Sequence, residues 1–498
     1  MGTRLQIRTL ALLAFSSASY GQIYAYPMPA ANYWVNGQTG SDSNAGTFAA
    51  PFATPAHGAS VLAAGQTLAI AGQQSYHSEV ITPVANTTVV GFNGVPLIDA
   101  SDPISTGAWS KTGGYTNIYQ ATLTVENASA VGFLCVWEDN VCGPNFPYVS
   151  SLASLDAATN GFYVANQSAI TGTSVTVYIN PTGHGNPASN GLSYEYNARL
   201  QGIYCPYACT LSNLATRRNL QNDGSLKTSP GSYISNVTAS DGTKHVALFD
   251  CGRAVNLSIN NSYYAGQAKN QLVIFDNAPN GCDVTLVNLI TTNTNETGGA
   301  VYGHANSGQF GTVTLTNPTL NAGTGGFSGV ASAAQVITGG SIADGLTLEA
   351  PVNTLTGTSI TAIVNVSGIT SLSSCMISGA FVNGAIRNQF AGTILSVSGC
   401  LISNSQEFYG GFYFDQAPAS INIQNNVFLA GSASTNYIEG PGTTGIGSVA
   451  FDYNTYHYQG GGNGWMTLNG VNRNFATGGV FATWQALGYD LHGSVATP

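Results

Sequence analysis

The residues best placed to do chemistry come from a phrase that the chain states three times. His245-Val246-Ala247-Leu248-Phe249-Asp250 is echoed by Gln271-Leu272-Val273-Ile274-Phe275-Asp276 and, more loosely, by Gly299-Ala300-Val301-Tyr302-Gly303-His304. Read as stacked repeats, Asp250 and Asp276 hold equivalent positions after a phenylalanine. In register their carboxylates would stand one inter-strand rung apart, roughly 5 Å, with His304 near the same column one repeat on. Two carboxylates ~5–5.5 Å apart suit a retaining glycosidase and a wider pair an inverting one. Mutual repulsion would raise one pKa and keep that acid protonated. The alternative is that both aspartates open turns and accept backbone N–H groups. Phe412-Tyr413-Phe414-Asp415-Gln416-Ala417-Pro418, which repeats Phe275-Asp276-Asn277-Ala278-Pro279, fits that turn role.

A lyase would need a basic side chain to take the proton α to a uronate carboxylate, and a cation to neutralise that carboxylate. The chain holds 12 Lys and Arg. Those on the middle repeats are Arg217, Arg218, Lys244, Arg253 and Lys269, and Lys244 directly precedes the Asp250 phrase. The catalytic candidates are therefore Asp250, Asp276, His304 and Lys244. Arg217 and Arg218 have a plainer reading as partners of Asp241 or of solvent. The compact acidic cluster of a calcium-dependent lyase is missing. Asp42 and Asn44 are the pair that could touch a cation, with turn shaping the commoner role; Ca2+ is compatible and no other cofactor is called for. For glycan binding the candidates are Arg217, Arg218, Arg253, Tyr263, Tyr264, Tyr302 and Tyr413, whose rings and guanidiniums suit sugar faces and hydroxyls. Phe408, Tyr409, Phe412, Tyr453, Tyr456 and Tyr458 join them unless they fill a core.

What must position these groups is a repeat. After each echo comes a second short apolar strand: Val255-Asn256-Leu257, Val284-Thr285-Leu286, Val313-Thr314-Leu315. Its central apolar residue recurs upstream at Leu211 and Ile234, and downstream at Ile337, Leu355, Leu372, Val397, Ile423 and Phe451. From Leu315 onward another apolar residue follows five positions later: Leu320, Ile342, Ile360, Ile377, Ile402, Phe428 and Tyr456. Spacings run from 17 residues (Leu355 to Leu372) to 29 (Leu286 to Leu315), the range of a solenoid coil with variable turns. The segments are short, β-branched and separated by Gly, Asn, Ser and Thr, so each reads as a strand and a turn. Leucine-rich consensus and heptads are absent. One coil cannot bury its own apolar face, whereas stacked coils make a continuous core and pair each backbone with the next. A single-chain parallel β-helix follows.

Composition agrees. Only 7% of the 498 residues are charged and the 61 glycines are spread through the turns, against a usual charged share of ~25%. A net charge of −10 argues against binding nucleic acid through phosphates. No stretch reaches the ~18 apolar residues of a membrane helix. Eight cysteines are compatible with disulfides. Cys375 and Cys400 share an offset of three from their anchors and should stack on adjacent coils, as a bridge or as two buried thiols. Cys135 with Cys142, and Cys205 with Cys209, are spaced to close small loops. Residues 1–30 carry Arg4, Arg8, an apolar run from Thr9 to Phe15 and small residues after it, the pattern of a secretory signal or of a particle-docking segment.

Tyr33-Trp34-Val35-Asn36-Gly37, Gly40-Ser41-Asp42-Ser43-Asn44-Ala45-Gly46-Thr47, Pro51-Phe52-Ala53-Thr54 and Gly65-Gln66-Thr67-Leu68 follow one another near the start, and Phe481-Ala482-Thr483-Trp484-Gln485-Ala486-Leu487-Gly488-Tyr489-Asp490-Leu491-His492-Gly493-Ser494 lies near the end. In these motifs the chain resembles the right-handed parallel β-helix, or pectate-lyase-like, superfamily. With the coils between them, the resemblance covers nearly the whole chain. It implies an all-β fold with a cap and first coils over 31–109, an inserted small β subdomain over 110–199, a main helix over 200–460 and a terminal cap over 461–498. Its hand follows the preferred crossover. The superfamily includes phage tailspike-like proteins, lyases, hydrolases and inert structural proteins, so the resemblance is specific for fold and leaves three functions open. The first is a virion-associated tailspike or fibre that binds, and in some cases degrades, host surface polysaccharide, as a homotrimer joined through the helix flanks and docked to phage particle proteins by its N-terminus. The second is a secreted bacterial polysaccharide lyase or glycosidase. The third is a non-catalytic structural β-helix.

Overall fold

A computed structural model describes residues 28–496 except 143–144, 166, 168–169, 221–223, 243–244, 263–271, 277–280, 293–299, 306–309, 322–325, 329–331, 344, 362, 380–383, 405–408, 431–433, 458–462, 470 and 475–480. The signal-like segment, Lys244, Tyr263, Tyr264, Lys269, Phe408 and Tyr458 lie outside the described residues.

The anchor residues stack. Leu211, Ile234, Ala254, Leu286, Leu315, Ile337, Leu355, Leu372, Val397, Ile423 and Phe451 pair coil to coil in parallel register. The residues five positions on, from Leu320 to Tyr456, form a second ladder. Both columns are buried. Strand alternation would put residues an odd number apart on opposite faces, so the chain must bend between them. It does so two residues after each anchor, where Asn213, Asn236, Asn256, Asn288, Asn317, Ser374, Asn425 and Tyr453 have φ of 49–57°, and Gly339, Gly357 and Gly399 take the same place. Asparagine tolerates this left-handed conformation because its short amide bonds locally. Here the amides also bond each other: Asn256 Nδ2 donates to Asn236 Oδ1 at 2.7 Å and Asn288 Nδ2 to Asn256 Oδ1 at 2.8 Å.

One alignment read from sequence is corrected. Val255-Asn256-Leu257 was matched with Val284-Thr285-Leu286, but Ala254 pairs with Leu286, and Leu257 pairs with Val237 beyond the bend. Asn256 is the bend residue itself, and the small Ala254 takes the anchor position.

Opposite these ladders, a 13-stranded sheet among the described residues supplies the third wall. Its inward column runs Leu226, Ala247, Leu272, Val301, Phe327, Leu346, Val364, Ile386, Phe412 and Ile438, all buried. The chain is a parallel β-helix. Phe412 and Tyr456 therefore belong to the core, not to a binding surface. Each such side chain contributes ~1.5–3 kcal/mol of burial, offset by chain entropy.

The first coil is closed by the helix Pro55–Ser60, with Thr54 Oγ1 accepting from His57 N at 3.3 Å. Asp42 shapes the turn before it: Oδ1 accepts from Ala53 N and Thr54 N at 2.9 and 3.0 Å, and Oδ2 from Thr54 Oγ1 at 2.9 Å. Burial raises its pKa, but the Thr54 and Ala53 hydrogen bonds outweigh that and leave it below the ordinary value. Asn44 Nδ2 donates to Pro51 O at 2.8 Å. Both side chains are occupied by the turn.

Between the early coils and the main helix, Ser110–Lys111, Tyr119–Gly132, Gly161–Val164 and Ile170–Asn180 form an antiparallel sheet. A three-stranded sheet joins Ser101–Pro103, Val136–Glu138 and Tyr194–Asn197, and this unit has its own core. Cys205 and Cys209 are bridged across a short loop, and Cys251 is bridged to Cys282, a pair the spacing did not suggest. Cys135 and Cys142 are buried thiols, not a bridge.

Cys375 and Cys400 stack as expected, as two buried thiols. They begin an interior ladder one residue after the bend. Cys375 N donates to Cys400 Sγ at 3.4 Å, Cys400 N to Asn426 Oδ1 at 2.9 Å, Asn426 N to Asn454 Oδ1 at 3.0 Å, and Asn454 N to Asp490 Oδ1 at 3.0 Å. Asp490 ends the ladder and also accepts from Tyr456 Oη at 2.7 Å. Burial raises the Asp490 pKa above its ordinary value despite the hydrogen bonds from Tyr456 and Asn454. A carboxyl whose folded pKa exceeds its unfolded one stabilises the fold most at low pH, and that contribution is lost as pH rises through the folded value. Asp490→Asn is therefore expected to gain stability relative to the natural chain as pH rises from about 4 to about 7. Urea unfolding of both proteins across that range checks it; parallel profiles would contradict it.

Candidate functional site

On the 13-stranded sheet Ala247 and Phe249 point inward, which leaves Leu248 and Asp250 on the outward face. The outward register runs Tyr204, Lys227, Leu248, Val273, Tyr302 and Ser328. It continues, after the paired Phe327 and Leu346, through Thr347, Asn365, Arg387, Tyr413 and Glu439. Tyr204, Lys227, Tyr302, Asn365, Arg387 and Tyr413 are half-buried, and Leu248 between them is buried. Lys227 Nζ lies 5.4 Å from the Tyr204 ring centre, and Asn365 Nδ2 donates to Thr347 Oγ1 at 3.4 Å. Arg387 donates twice to Asp415, Nε to Oδ2 at 2.6 Å and Nη2 to Oδ1 at 3.2 Å, and its guanidinium sits 5.9 Å from the Tyr413 ring centre. The hydrogen bond to Asp415 raises the Arg387 pKa further. Asp415 thus fixes an arginine.

The register separates the catalytic candidates. Asp250 pairs with Phe275 and Phe275 with His304, whereas Asp276 pairs with Ala305. Asp250 and His304 share one column two coils apart, and Asp276 stands one position further along its strand. The two Phe-Asp phrases do not align because Ala247 pairs with Leu272, so the second strand enters the sheet one residue earlier relative to its phrase. Asp250 is buried beside the Cys251–Cys282 bridge. Asp250, Cys251 and Cys282 bring candidate donor atoms within 4.8 Å of one another, but the disulfide removes the thiolates a metal would need. Arg253 lies on the other wall, its guanidinium 6.0 Å from the Tyr233 ring centre, and does not share a face with Tyr302 and Tyr413. Tyr453, at the bend, is exposed and stacks on His492 with ring centres 4.6 Å apart.

Arg217 and Arg218 belong to a charged junction between helix and insertion. His77, Asp99 and Arg217 occupy successive rungs of one ladder. Arg217 Nε donates to Asp99 Oδ2 at 2.6 Å, and Asp99 Oδ1 accepts from Ser101 N and Oγ at 3.0 and 2.7 Å. Arg218 donates to Glu195, to Ser101 Oγ at 3.2 Å and to Asn140 Oδ1 at 2.7 Å, with its guanidinium 4.7 Å from the Trp137 ring centre. The partners are Asp99 and Glu195, in place of the expected Asp241 or solvent. His77, Asp99 and Glu195 bring candidate ligand atoms within 4.8 Å. The two guanidiniums already hold and neutralise the same carboxylates, which disfavours a cation there. His77, Asp99 and Glu195 were not legible as a set: Asp99 and Arg217, which the ladder brings together, stand 118 positions apart across the insertion, and Glu195 lies within it.

No family model matches this sequence, and no curated protein does. Among solved structures, the chain is similar to XylC in complex with xylose (14% identity over 85% of this chain and 83% of that one, TM-score 0.44). It is also similar to a glycoside hydrolase (8%, covering 88% and 94%, TM-score 0.41) and to the tailspike protein gp49 of Pseudomonas phage LKA1 (11%, covering 82% and 72%, TM-score 0.28). At these values the likeness carries no functional inference. Among the described residues, no helix is long and apolar enough to cross a membrane.

Proposed function

We propose that the chain binds an elongated polysaccharide along the outward face of the 13-stranded sheet. The observation that carries this reading is the outward column, which rises one coil, ~4.8 Å, at a time and carries Tyr204 and Lys227 on adjacent coils, Tyr302 three coils on, and then Asn365, Arg387 and Tyr413 on adjacent coils. That rise is comparable to one pyranose ring with its glycosidic oxygen, so successive sugars meet successive coils. Tyrosine rings offer stacking faces, and asparagine, lysine and arginine offer donors to hydroxyls or uronate carboxylates. The setting that best suits such a face is a tailspike- or fibre-like protein presented to host surface glycan. A secreted glycosidase or lyase is the second reading, favoured by Asp250 and His304 sharing a column that flanks Tyr302.

The test is a panel of neutral and acidic polysaccharides assayed for retention, new reducing ends and unsaturated sugars. Retention is expected for at least one elongated glycan. Turnover lost in Asp250→Asn would establish the enzyme; retention without turnover would establish a binding protein. A chain that retains none would be a structural β-helix, and the reading would fall.

A further inference from the structure

The outward face of the anchor strands is a different surface, on the wall away from the tyrosine column. On three consecutive coils its side chains repeat the same triplet. Val352, Ile369 and Ile394 stand in one column, Thr354, Ser371 and Ser396 in the next, and Thr356, Ser373 and Ser398 in the third. The aliphatic column is exposed, at 44%, 51% and 42%. The last hydroxyl column extends upward through Thr338 and Thr316, giving five coils in succession. Thr314 and Thr285 continue the middle column beyond Val336. The strands Phe310–Thr316, Ser332–Thr338, Val352–Thr356, Ile369–Ser373 and Ile394–Ser398 contain no charged residue, and their one aromatic, Phe310, is buried.

This makes a rectangular net of hydroxyl and aliphatic groups, ~4.8 Å from coil to coil and ~6.6 Å from column to column along the strand. The backbone ladder holds it rigid, and neighbouring hydroxyls fix each other: Thr356 Oγ1 and Ser373 Oγ are 3.1 Å apart. A single soluble chain can follow one column of such a net, whereas a crystalline solid meets all of its columns at once. Sugar surfaces are recognised through aromatic platforms and amide or charged donors; these five strands present neither outward, and such groups bound the net only beyond it, Arg253 and Tyr233 past Thr285, and Asn422 and Gln424 past Ser396 and Ser398. It offers what orders water: hydroxyls that bond it and exposed methyl groups that restrict its orientation beside them. The prism faces of hexagonal ice repeat on a comparable rectangular net. An uncharged array suits an uncharged lattice.

We propose that this face binds ice. The full chain is expected to shape growing ice crystals, to inhibit their recrystallisation, and to partition into a slowly grown ice hemisphere. Ile369→Lys and Ser371→Tyr place a charge or bulk at the centre of the net on exposed positions, and should lower the ice-bound fraction to that of an inert protein while leaving circular dichroism unchanged. Tyr207→Ser, exposed on another part of the molecule, should bind ice like the natural chain. Unshaped crystals and no partition into ice would overturn the proposal. So would ice binding that survives both variants, or retention on crystalline cellulose or chitin through this face without any effect on ice.

Discussion

Replacing Arg218 by methionine is expected to cost about 3 kcal/mol, because it removes a buried guanidinium and strips the part-buried carboxylate of Glu195 of that counter-charge. Arg218 is 1% exposed, packed on Trp137, and donates to Glu195 from the helix side, where His77 Nδ1 stands further off, 3.9 Å from Glu195 Oε1. Asp99 keeps Arg217, so the loss falls on Glu195 and on the strand Tyr194–Asn197 that carries it. The left-handed backbone of residue 218, with φ 63°, is equally strained for either side chain and cancels. Amide exchange should accelerate first in Tyr194–Asn197 and Val136–Glu138, before the anchor strands. Arg218→Met with Glu195→Gln should recover part of the loss, since the orphaned charge is then gone. A single-variant cost below about 1 kcal/mol, the range of solvated surface pairs, would mean the junction does not hold the insertion in place.

Trp484→Ala should cost a similar ~3–5 kcal/mol by emptying the end of the core. The indole is fully buried in the helix Phe481–Gln485, with its ring centre 6.0 Å from Phe451 and 4.7 Å from Tyr489. It closes the last coil, where a solenoid otherwise presents apolar side chains to water. Removing it should also promote association through the uncovered end, visible by light scattering. Its Nε1 has no hydrogen-bond partner among the described residues, so Trp484→Phe gives up a buried donor along with some volume and should cost much less than alanine. Equal losses in both variants would show that the site needs the indole's shape.

The core was legible because a β-helix writes its packing as a periodic signal. The anchors and the residues five positions later are the two inward columns. That interval already encodes a bend, since no straight strand buries both. Where the signal failed, a local substitution hid it. The small Ala254 fills an anchor position while the larger Leu257 sits beyond the bend, and the Phe-Asp phrases slip because pairing follows the inward Ala247 and Leu272, not the aspartates. The offset of Cys375 and Cys400 was readable because both follow their bends by one residue, while the Cys251–Cys282 bridge depends on turns of unequal length. The candidate site was legible in part. Tyr302 and Tyr413 share the outward register, but Arg253 lies on the other wall, Arg217 pairs with Asp99 across the whole insertion, and Arg218 pairs with Glu195 inside the insertion, whose fold the repeat does not encode.

The most direct measurement is equilibrium binding of an oligosaccharide length series, cut from whichever glycan the panel retains, to the natural chain, Tyr302→Ala and Tyr413→Ala. Binding along the sheet predicts affinity that climbs with each added sugar until several coils are spanned. Each variant should weaken the long oligomers about tenfold, as the loss of a stacking partner worth ~0.5–1.5 kcal/mol and its buried area implies. Short oligomers should lose affinity in at most one of the two. Affinity independent of length, or unchanged in both variants, would contradict a glycan site on this face.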